Sequence, residues 1–370
     1  MMLSSRKRYF FAPVSWTGLF RAYLRTGTID GMLASLNDPY TRFLTPPEYR
    51  ELRVQTDGIF GGIGIILNQH EKVLVILKTL KGSPGEAAGL RYGDRIVKID
   101  GRPAEAMSVD EAVAAIRGPA GTAVCLTIAR GKDNGEKILE LKITRANIKL
   151  PSVEWESIDD PKAGRIARIV ISQFAERTTS EFEAALQAAD RAHARGLILD
   201  LRNNPGGLLD AAIGVANKFL DGGVILYMLR RDSPREPFAA KRIVPRRYPV
   251  VVLVNQWSAS ASEIVAGALK DRGIATLVGT KTFGKGVVQE IVPIGEGSAL
   301  SVTVAKYLTA GGHSIDKTGI MPDVVVDIPG AMDRALKTGN LDELRSLERL
   351  QEERAIEVLR AELARQREAA

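Results

Sequence analysis

Five consecutive aliphatic residues, Val250 to Val254, constrain this chain more than any other stretch. An unbroken apolar run of that length reads as a buried strand. A turn of polar and small residues follows, and then a helical pattern from Ser260 to about Lys270. A serine where a buried strand turns into a helix has its hydroxyl at the positive end of the helix dipole, beside free backbone N–H groups. Such groups can steady the oxyanion that forms when a carbonyl is attacked. Beyond the helix, Thr282-Phe283-Gly284-Lys285-Gly286 sets one lysine between two glycines with apolar flanks. A lysine removed from water loses affinity for its proton and can serve as a base. Ser260 and Lys285 are therefore a candidate nucleophile–base pair. Each also has a plainer reading. Ser260-Ala261-Ser262-Glu263 fits the capping box S-x-x-E, and Ser258 can cap as well. A lysine between glycines is ordinarily a solvated loop residue. The histidines, His70, His193 and His313, lie outside these turns, so lysine competes with histidine as the base on at least equal terms.

The same strand–turn–helix sequence occurs earlier. Gly196 to Leu201 reads as a buried strand; it ends in Arg202-Asn203-Asn204-Pro205-Gly206-Gly207, and a helix follows from about Leu208 to Leu220. With the strand at 166–171, the amphipathic helix from Thr178 to Ala194 and the strand at 274–279, this alternation specifies an α/β core. In such cores active groups sit where strands end and helices begin. Gly206 or Gly207 can supply one oxyanion donor and the Ala261 N–H the other, although glycine pairs also serve simple β–α turns. After Lys285, residues 287–293 and 300–305 read as a hairpin.

From about Thr56 to Arg145 the pattern changes to short strands, two helices and glycine turns. Gly61, Gly62 and Gly64 allow successive N–H groups to converge on a carboxylate. Ile63 and Ile65 can line an apolar pocket opposite Val109, Val113 and Ile116, unless this is an ordinary glycine-rich hairpin. Ser108-Val109-Asp110-Glu111 opens the second helix as a capping box. The run SPGEAAGLRYGDRIVKIDG and the later IRGPAGT resemble the PDZ domain, which binds the free C-terminus of another chain as an added strand.

Composition excludes several classes. The 370 residues suggest two or three domains, and 51 Lys+Arg against 44 Asp+Glu is a modest, interspersed excess that argues against nucleic acid. The densest basic stretch, Arg230-Arg231 to Arg246-Arg247, reads as a surface hairpin or loop. Cys125, the sole cysteine, allows no intrachain disulfide or cysteine metal site and is expected to be a buried, inert thiol. No run reaches the ~20 apolar residues of a membrane span. Arg6-Lys7-Arg8 and the apolar residues after it begin like a signal peptide, but Pro13 breaks the run and no A-x-A exit follows. The charged C-terminal helix from Leu341 carries an apolar stripe, including Leu347, Leu350, Leu359 and Leu363, expected to pack on its own domain or mediate self-association.

Taken in order, SLNDPYTRFL, the PDZ-like run, LDLRNNPGGLL, VNQWSASASEIVAGAL, GTKTFGKGVVQ and GIMPD resemble the carboxy-terminal processing, or tail-specific, proteases over about Thr28 to Ile328. The resemblance implies a multi-domain α/β protein with a ClpP/crotonase-like core. Its expected parts are an N-terminal helical segment (1–55), an inserted β-rich PDZ-like domain (56–147), a catalytic core (148–330) and a charged helix (331–370). It implies a serine endopeptidase with a Ser260–Lys285–Gln289 triad and no metal or cofactor. The substrates would be proteins with exposed C-terminal tails, captured at Gly61, Gly62, Ile63 and Gly64, with capture also acting as a gate. It further implies a place in the cell envelope and leaves a homodimer and membrane association open. Residues four apart on a straight strand stand ~13 Å apart, so a Lys285–Gln289 contact requires a bend near Gly286. A non-catalytic PDZ scaffold and a crotonase-type acyl-CoA enzyme are the rival classes.

Overall fold

The computed structural model describes residues 9–131, 136–241, 248–328, 330–339 and 341–368. The Arg6-Lys7-Arg8 start and the Arg246-Arg247 end of the basic loop lie outside them. The described residues divide into two units, one from Met1–Asp57 with Pro151–Ala370 and the other Gly58–Leu150.

The chain begins with α1 (Trp16–Thr26), α2 (Ile29–Ala34), β1 (Arg42–Leu44) and α3 (Pro46–Asp57). Thr28 caps α2, its Oγ1 accepting from Gly31 N–H at 3.0 Å. Beyond α2, Asp38 folds the NDPYT segment onto itself, accepting from Tyr40 N–H at 3.0 Å and from the Thr41 hydroxyl at 2.6 Å.

The second unit holds β2 (Ile59–Gly62), β3 (Ile65–His70), β4 (Val73–Thr79), α4 (Pro84–Ala87), β5 (Arg95–Ile99), β6 (Arg102–Pro103), α5 (Val109–Ile116), β7 (Ala123–Arg130), β8 (Lys137–Thr144) and β9 (Ala146–Lys149). Five strands form a sheet in the order β3-β4-β5-β7-β8, while β2 pairs with β9. Both halves of the Ser108–Glu111 capping box are made. Along β7, Val124, Leu126 and Ile128 point into the core. Strand side chains alternate between faces, so Cys125 points outward and is exposed. The expected buried thiol is thus corrected: its neighbours occupy the core-facing positions.

The first unit resumes with β10 (Val153–Asp160), β11 (Gly164–Ile171), α6 (Thr178–Arg191), β12 (Gly196–Asp200), α7 (Leu209–Ala216), β13 (Val224–Arg230), β14 (Glu236–Ala239), β15 (Val250–Val254), α8 (Ala261–Asp271), β16 (Ala275–Gly279), β17 (Val287–Gly295), β18 (Ser298–Thr309), β19 (Val324–Val325), α9 (Ala331–Thr338) and α10 (Asp342–Glu368). One sheet has the order β10-β11-β12-β15-β16-β19, parallel except for the β10–β11 hairpin. Its continuous apolar strands are explained by cover on both faces. Leu197, Leu199, Val250, Val252 and Val254 share a core with Phe182, Leu186, Val215, Val265 and Leu269 of α6, α7 and α8. Ile198, Val251 and Leu253 face the other way, against Ala355, Leu359 and Leu363 of α10. Leu347, Leu359 and Leu363 of the C-terminal stripe are therefore buried on their own unit, each contributing about 1.5–3 kcal/mol, whereas Leu350, expected in the same stripe, is exposed. In the second sheet, β18 pairs with β1, β13 and β17.

Candidate active site

Ser260 stands between β15 and α8 at φ 55°, ψ −112°. A non-glycine residue at positive φ is strained by roughly 1–3 kcal/mol and persists only where its surroundings enforce it. They do so here. The Ser260 N–H donates to Glu263 Oε2 at 2.9 Å, one half of the capping box at the start of α8. Ser258 is fully buried, and its hydroxyl donates to Leu201 O at 2.7 Å. Ser262 Oγ donates to Asn204 O at 2.9 Å, and Ala259 N–H donates to the same carbonyl at 3.0 Å. Three residues of the serine turn thus fasten it to the end of β12 and the turn beyond.

That neighbouring turn is the glycine pair. Gly206 (φ 101°) and Gly207 (φ 139°) both occupy conformations that favour glycine. A Cβ on Gly206 would come within 3.0 Å of Ala261 N, and one on Gly207 within 2.1 Å of Phe174 O. The Gly206 N–H donates to Asn204 Oδ1 at 2.9 Å, so this amide is already engaged. The N–H groups of Gly207 and Ala261 have no partner among the described residues.

Behind the turn lies a buried ionic cluster. Arg202 grips Asp200 in bidentate fashion, at 2.9 and 2.7 Å, and Arg168 reaches the same carboxylate at 2.8 Å. Burial alone would raise the Asp200 pKa, but these guanidinium contacts outweigh it and hold the carboxyl below its ordinary value. Arg202 also donates to Glu348 O at 2.7 Å, and Asn203 Nδ2 donates to Glu348 Oε1 at 3.1 Å, so α10 supports the glycine turn from beneath.

Lys285 is half-buried. Its N–H donates to Glu263 Oε2 at 2.9 Å, the same oxygen that accepts from Ser260. The other carboxylate oxygen accepts from Gly284 N–H at 2.8 Å and the Thr282 hydroxyl at 2.6 Å. Glu263 is fully buried, and four donors match the roughly four lone-pair sites of a carboxylate. Gly284 (φ 92°) presses against the loop before Met321: a Cβ there would lie 2.7 Å from Gly319 N. The lysine Nζ lies 5.0 Å from the centre of the Tyr40 ring. Burial lowers the Lys285 pKa and Arg42 lowers it further, against the opposing pull of Asp38 and Glu263.

Ser260, Lys285, Gln289, Gly206, Gly207 and Ala261 all line one cleft of about 390 Å³. Gln289 Nε2 lies a long 3.5 Å from Thr303 Oγ1. The pairing of β17 with β18 shifts register between Val288 and Gln289. Tyr40 and Arg42 also line the cleft. Neither they nor Tyr307, whose hydroxyl contacts both turns, stood out in the sequence. A tyrosine on the buried face of a strand needs a partner for its hydroxyl, and that was the available signal.

In the second unit, Gly61 and Gly62 pair across β2–β9 with Asn147 and Ala146. Ile63 is fully buried, so its side chain belongs to the core and does not line an open pocket as expected; Ile116 is buried too. Gly85 N–H donates to Ile63 O at 2.7 Å and Leu80 N–H to Gly64 O at 2.8 Å. The N–H groups of Ile63 and Gly64 have no partner among the described residues. β3, which follows them, is an edge strand; its first residue, Ile65, and Val109 of α5 are half-buried and pack against the core of this unit.

Comparison with known proteins agrees with this architecture. Residues 165–326 match the sequence model of Peptidase family S41, and residues 51–129 match that of the PDZ domain. A Carboxyl-terminal-processing protease of Synechocystis sp. (strain ATCC 27184 / PCC 6803 / Kazusa) is 44% identical over 304 residues, 81% of this chain and 70% of that protein. Carboxyl-terminal-processing peptidase 3, chloroplastic, of Arabidopsis thaliana is 39% identical over 310 residues, 80% of this chain and 59% of that protein. Among solved structures, a photosystem II D1 C-terminal processing protease matches with a TM-score of 0.55 and 31% identity, over 88% of this chain and 92% of that one. The fold and these relatives define a serine-type peptidase, which sets aside the scaffold and acyl-CoA readings. The chain belongs to peptidase family S41, as a carboxyl-terminal-processing protease with a PDZ domain. No helix among the described residues is long and apolar enough to cross a membrane.

Proposed function

We propose that this peptidase cleaves protein chains with a Ser260–Lys285 pair and selects them by their C-terminal tails. Neutral Lys285 takes the Ser260 proton as Oγ attacks a peptide carbonyl. The Gly207 and Ala261 N–H groups hold the resulting oxyanion. Protonated Lys285 then gives its proton to the leaving amine, and water releases the acyl group from Ser260. Gln289, with its Nε2 turned toward Thr303, has Oε1 available to orient the lysine amine. The observation that carries the reading is the single oxygen, Glu263 Oε2, that accepts from the N–H groups of both Ser260 and Lys285, two residues that line one cleft.

The free N–H groups of Ile63 and Gly64, next to the open edge of β3, suit capture of a tail carboxylate with the tail added as a strand. Unfolded casein incubated with wild type, Ser260→Ala and Lys285→Ala tests the chemistry. Each variant is expected to lose roughly 10³–10⁶-fold in kcat. Because the amine acts in its neutral form, wild-type kcat/KM should rise with pH through a value below the ordinary range of lysine. Retained cleavage by Ser260→Ala overturns the assignment.

A further inference from the structure

The serine and lysine turns are tied together a second time, on their carbonyl side. The Tyr307 hydroxyl lies 2.9 Å from Ser260 O and 2.7 Å from Lys285 O. The Tyr307 N–H also donates to Gly286 O at 3.0 Å, so one residue of β18 meets the lysine loop at two consecutive carbonyls. Its ring is 1% exposed and packed in the same core as Ala261 and Ile264 of α8. Ser260 O already accepts from Glu263 and Ile264 at the start of α8. For Lys285 O, Tyr307 is the one hydrogen-bond donor among the described residues. A phenol carries a single proton, so two carbonyls at these distances must share it. The sharing fixes the spacing of the two turns, which a donor bonded to one of them would leave free.

We propose that Tyr307 is a positioning residue for the Ser260–Lys285 pair, its hydroxyl holding the two carbonyls as Glu263 Oε2 holds the two N–H groups. This rests on the catalytic roles proposed above. The closed ring (Ser260 N–H, Glu263, Lys285 N–H, Lys285 C=O, Tyr307, Ser260 C=O) sets the separation of the two backbones while both side chains stay free to react. The phenol must keep its proton for this purpose. Burial, with the nearby Glu263 and Asp316 charges, pushes its pKa well above the ordinary value, so the donor persists across the working pH range. Effective proton transfer depends on near-attack geometry, and a displacement of about 1 Å costs on the order of 10²-fold in rate.

The test is Tyr307→Phe in the full chain, assayed on unfolded casein, with active sites counted by an irreversible serine-directed acylating probe. The expected result is a fall of about 10–100-fold in kcat per active site, with KM within about twofold. The ascending limb of the pH profile should also move up as the lysine turn loosens and its amine regains water. A loss of folded protein alone would lower the number of titrated sites and leave kcat per site unchanged, which overturns the proposal. A second variant works whether or not the phenylalanine form folds. A trifluorotyrosine at position 307 keeps ring and hydroxyl but ionises several pH units earlier, and a phenolate donates nothing. Its kcat should fall at alkaline pH where the wild type holds; no such fall also overturns the proposal. Should Ser260→Ala cleave the same substrate, the catalytic reading itself fails. Should Ser260→Ala be inactive while Tyr307→Phe keeps full kcat per site, only the positioning role is lost.

Discussion

The Gly61–Gly64 and Gly206–Gly207 turns each present backbone N–H groups unpartnered among the described residues, and they are held in place by different means. The Gly61–Gly64 stretch is secured by neutral contacts: Gly118 N–H to Gly61 O, Gly85 N–H to Ile63 O, Leu80 N–H to Gly64 O, and the Ser83 hydroxyl to Gly64 O at 3.2 Å. The Gly206–Gly207 turn and its serine and lysine neighbours have neutral bonds too, but buried charge is added to them, through Asp200 with Arg202 and Arg168, and Glu263 with four donors. A site proposed to receive tails of varied sequence can tolerate a looser fit. One that must align a hydroxyl, an amine and an oxyanion cannot. Charge-assisted bonds are shorter and roughly twice as strong as neutral ones, and they are the stiffer restraint.

The sharpest way to break this contrast is Asp200→Asn. It leaves the buried Arg202 guanidinium without its countercharge, while Arg168 keeps Glu156 and Glu352, at a cost of about 3–5 kcal/mol. Because the folded-state pKa of Asp200 is depressed, its stabilisation is complete above the unfolded value of about 4 and is lost as pH falls through the lower folded value. Denaturant midpoints from pH 3 to 7 should show a smaller acid dependence in the variant than in the wild type. An unchanged slope would mean that charge does not secure the turn.

Next comes Gly207→Ala. The added methyl would sit 2.1 Å from Phe174 O at φ 139°, so the turn must move and the proposed oxyanion amide moves with it. Loss of one such donor costs roughly 10²–10³-fold in kcat. Steady-state assays on casein should show that loss with KM little changed. The smallest effect belongs to the neutral loop. Gly64→Ala places a Cβ 2.4 Å from Ser83 Cβ at φ 71° and should weaken binding of a peptide with a free C-terminal carboxylate by about tenfold, near 1.4 kcal/mol. Fluorescence anisotropy with that peptide and its amidated counterpart gives the measurement. Equal binding of the two peptides by the wild type would count against carboxylate capture.

Much of this was legible in the sequence because it is local. Apolar runs at 196–201 and 250–254, the breaks after them and the capping signals fix which segments are strands and where helices start, since those preferences act over a few residues. The order of the motifs was enough to suggest the family. Cys125 was misread because alternation along β7 decides which residues face the core, and a strand assignment alone does not choose between the faces. Ile63 likewise went to the core, because packing of its own unit claimed the side chain.

The sequence by itself determined the elements and the turns that hold the proposed reactive groups, through periodicity and the φ requirements of glycine. Tertiary structure alone decided what those turns meet. Ser260 and Lys285 stand 25 positions apart, Tyr307 reaches both from β18, and Tyr40 comes to the lysine from the other end of the chain. Contacts between distant segments leave no period in a sequence; they exist only once the sheets and helices have packed and brought the segments together.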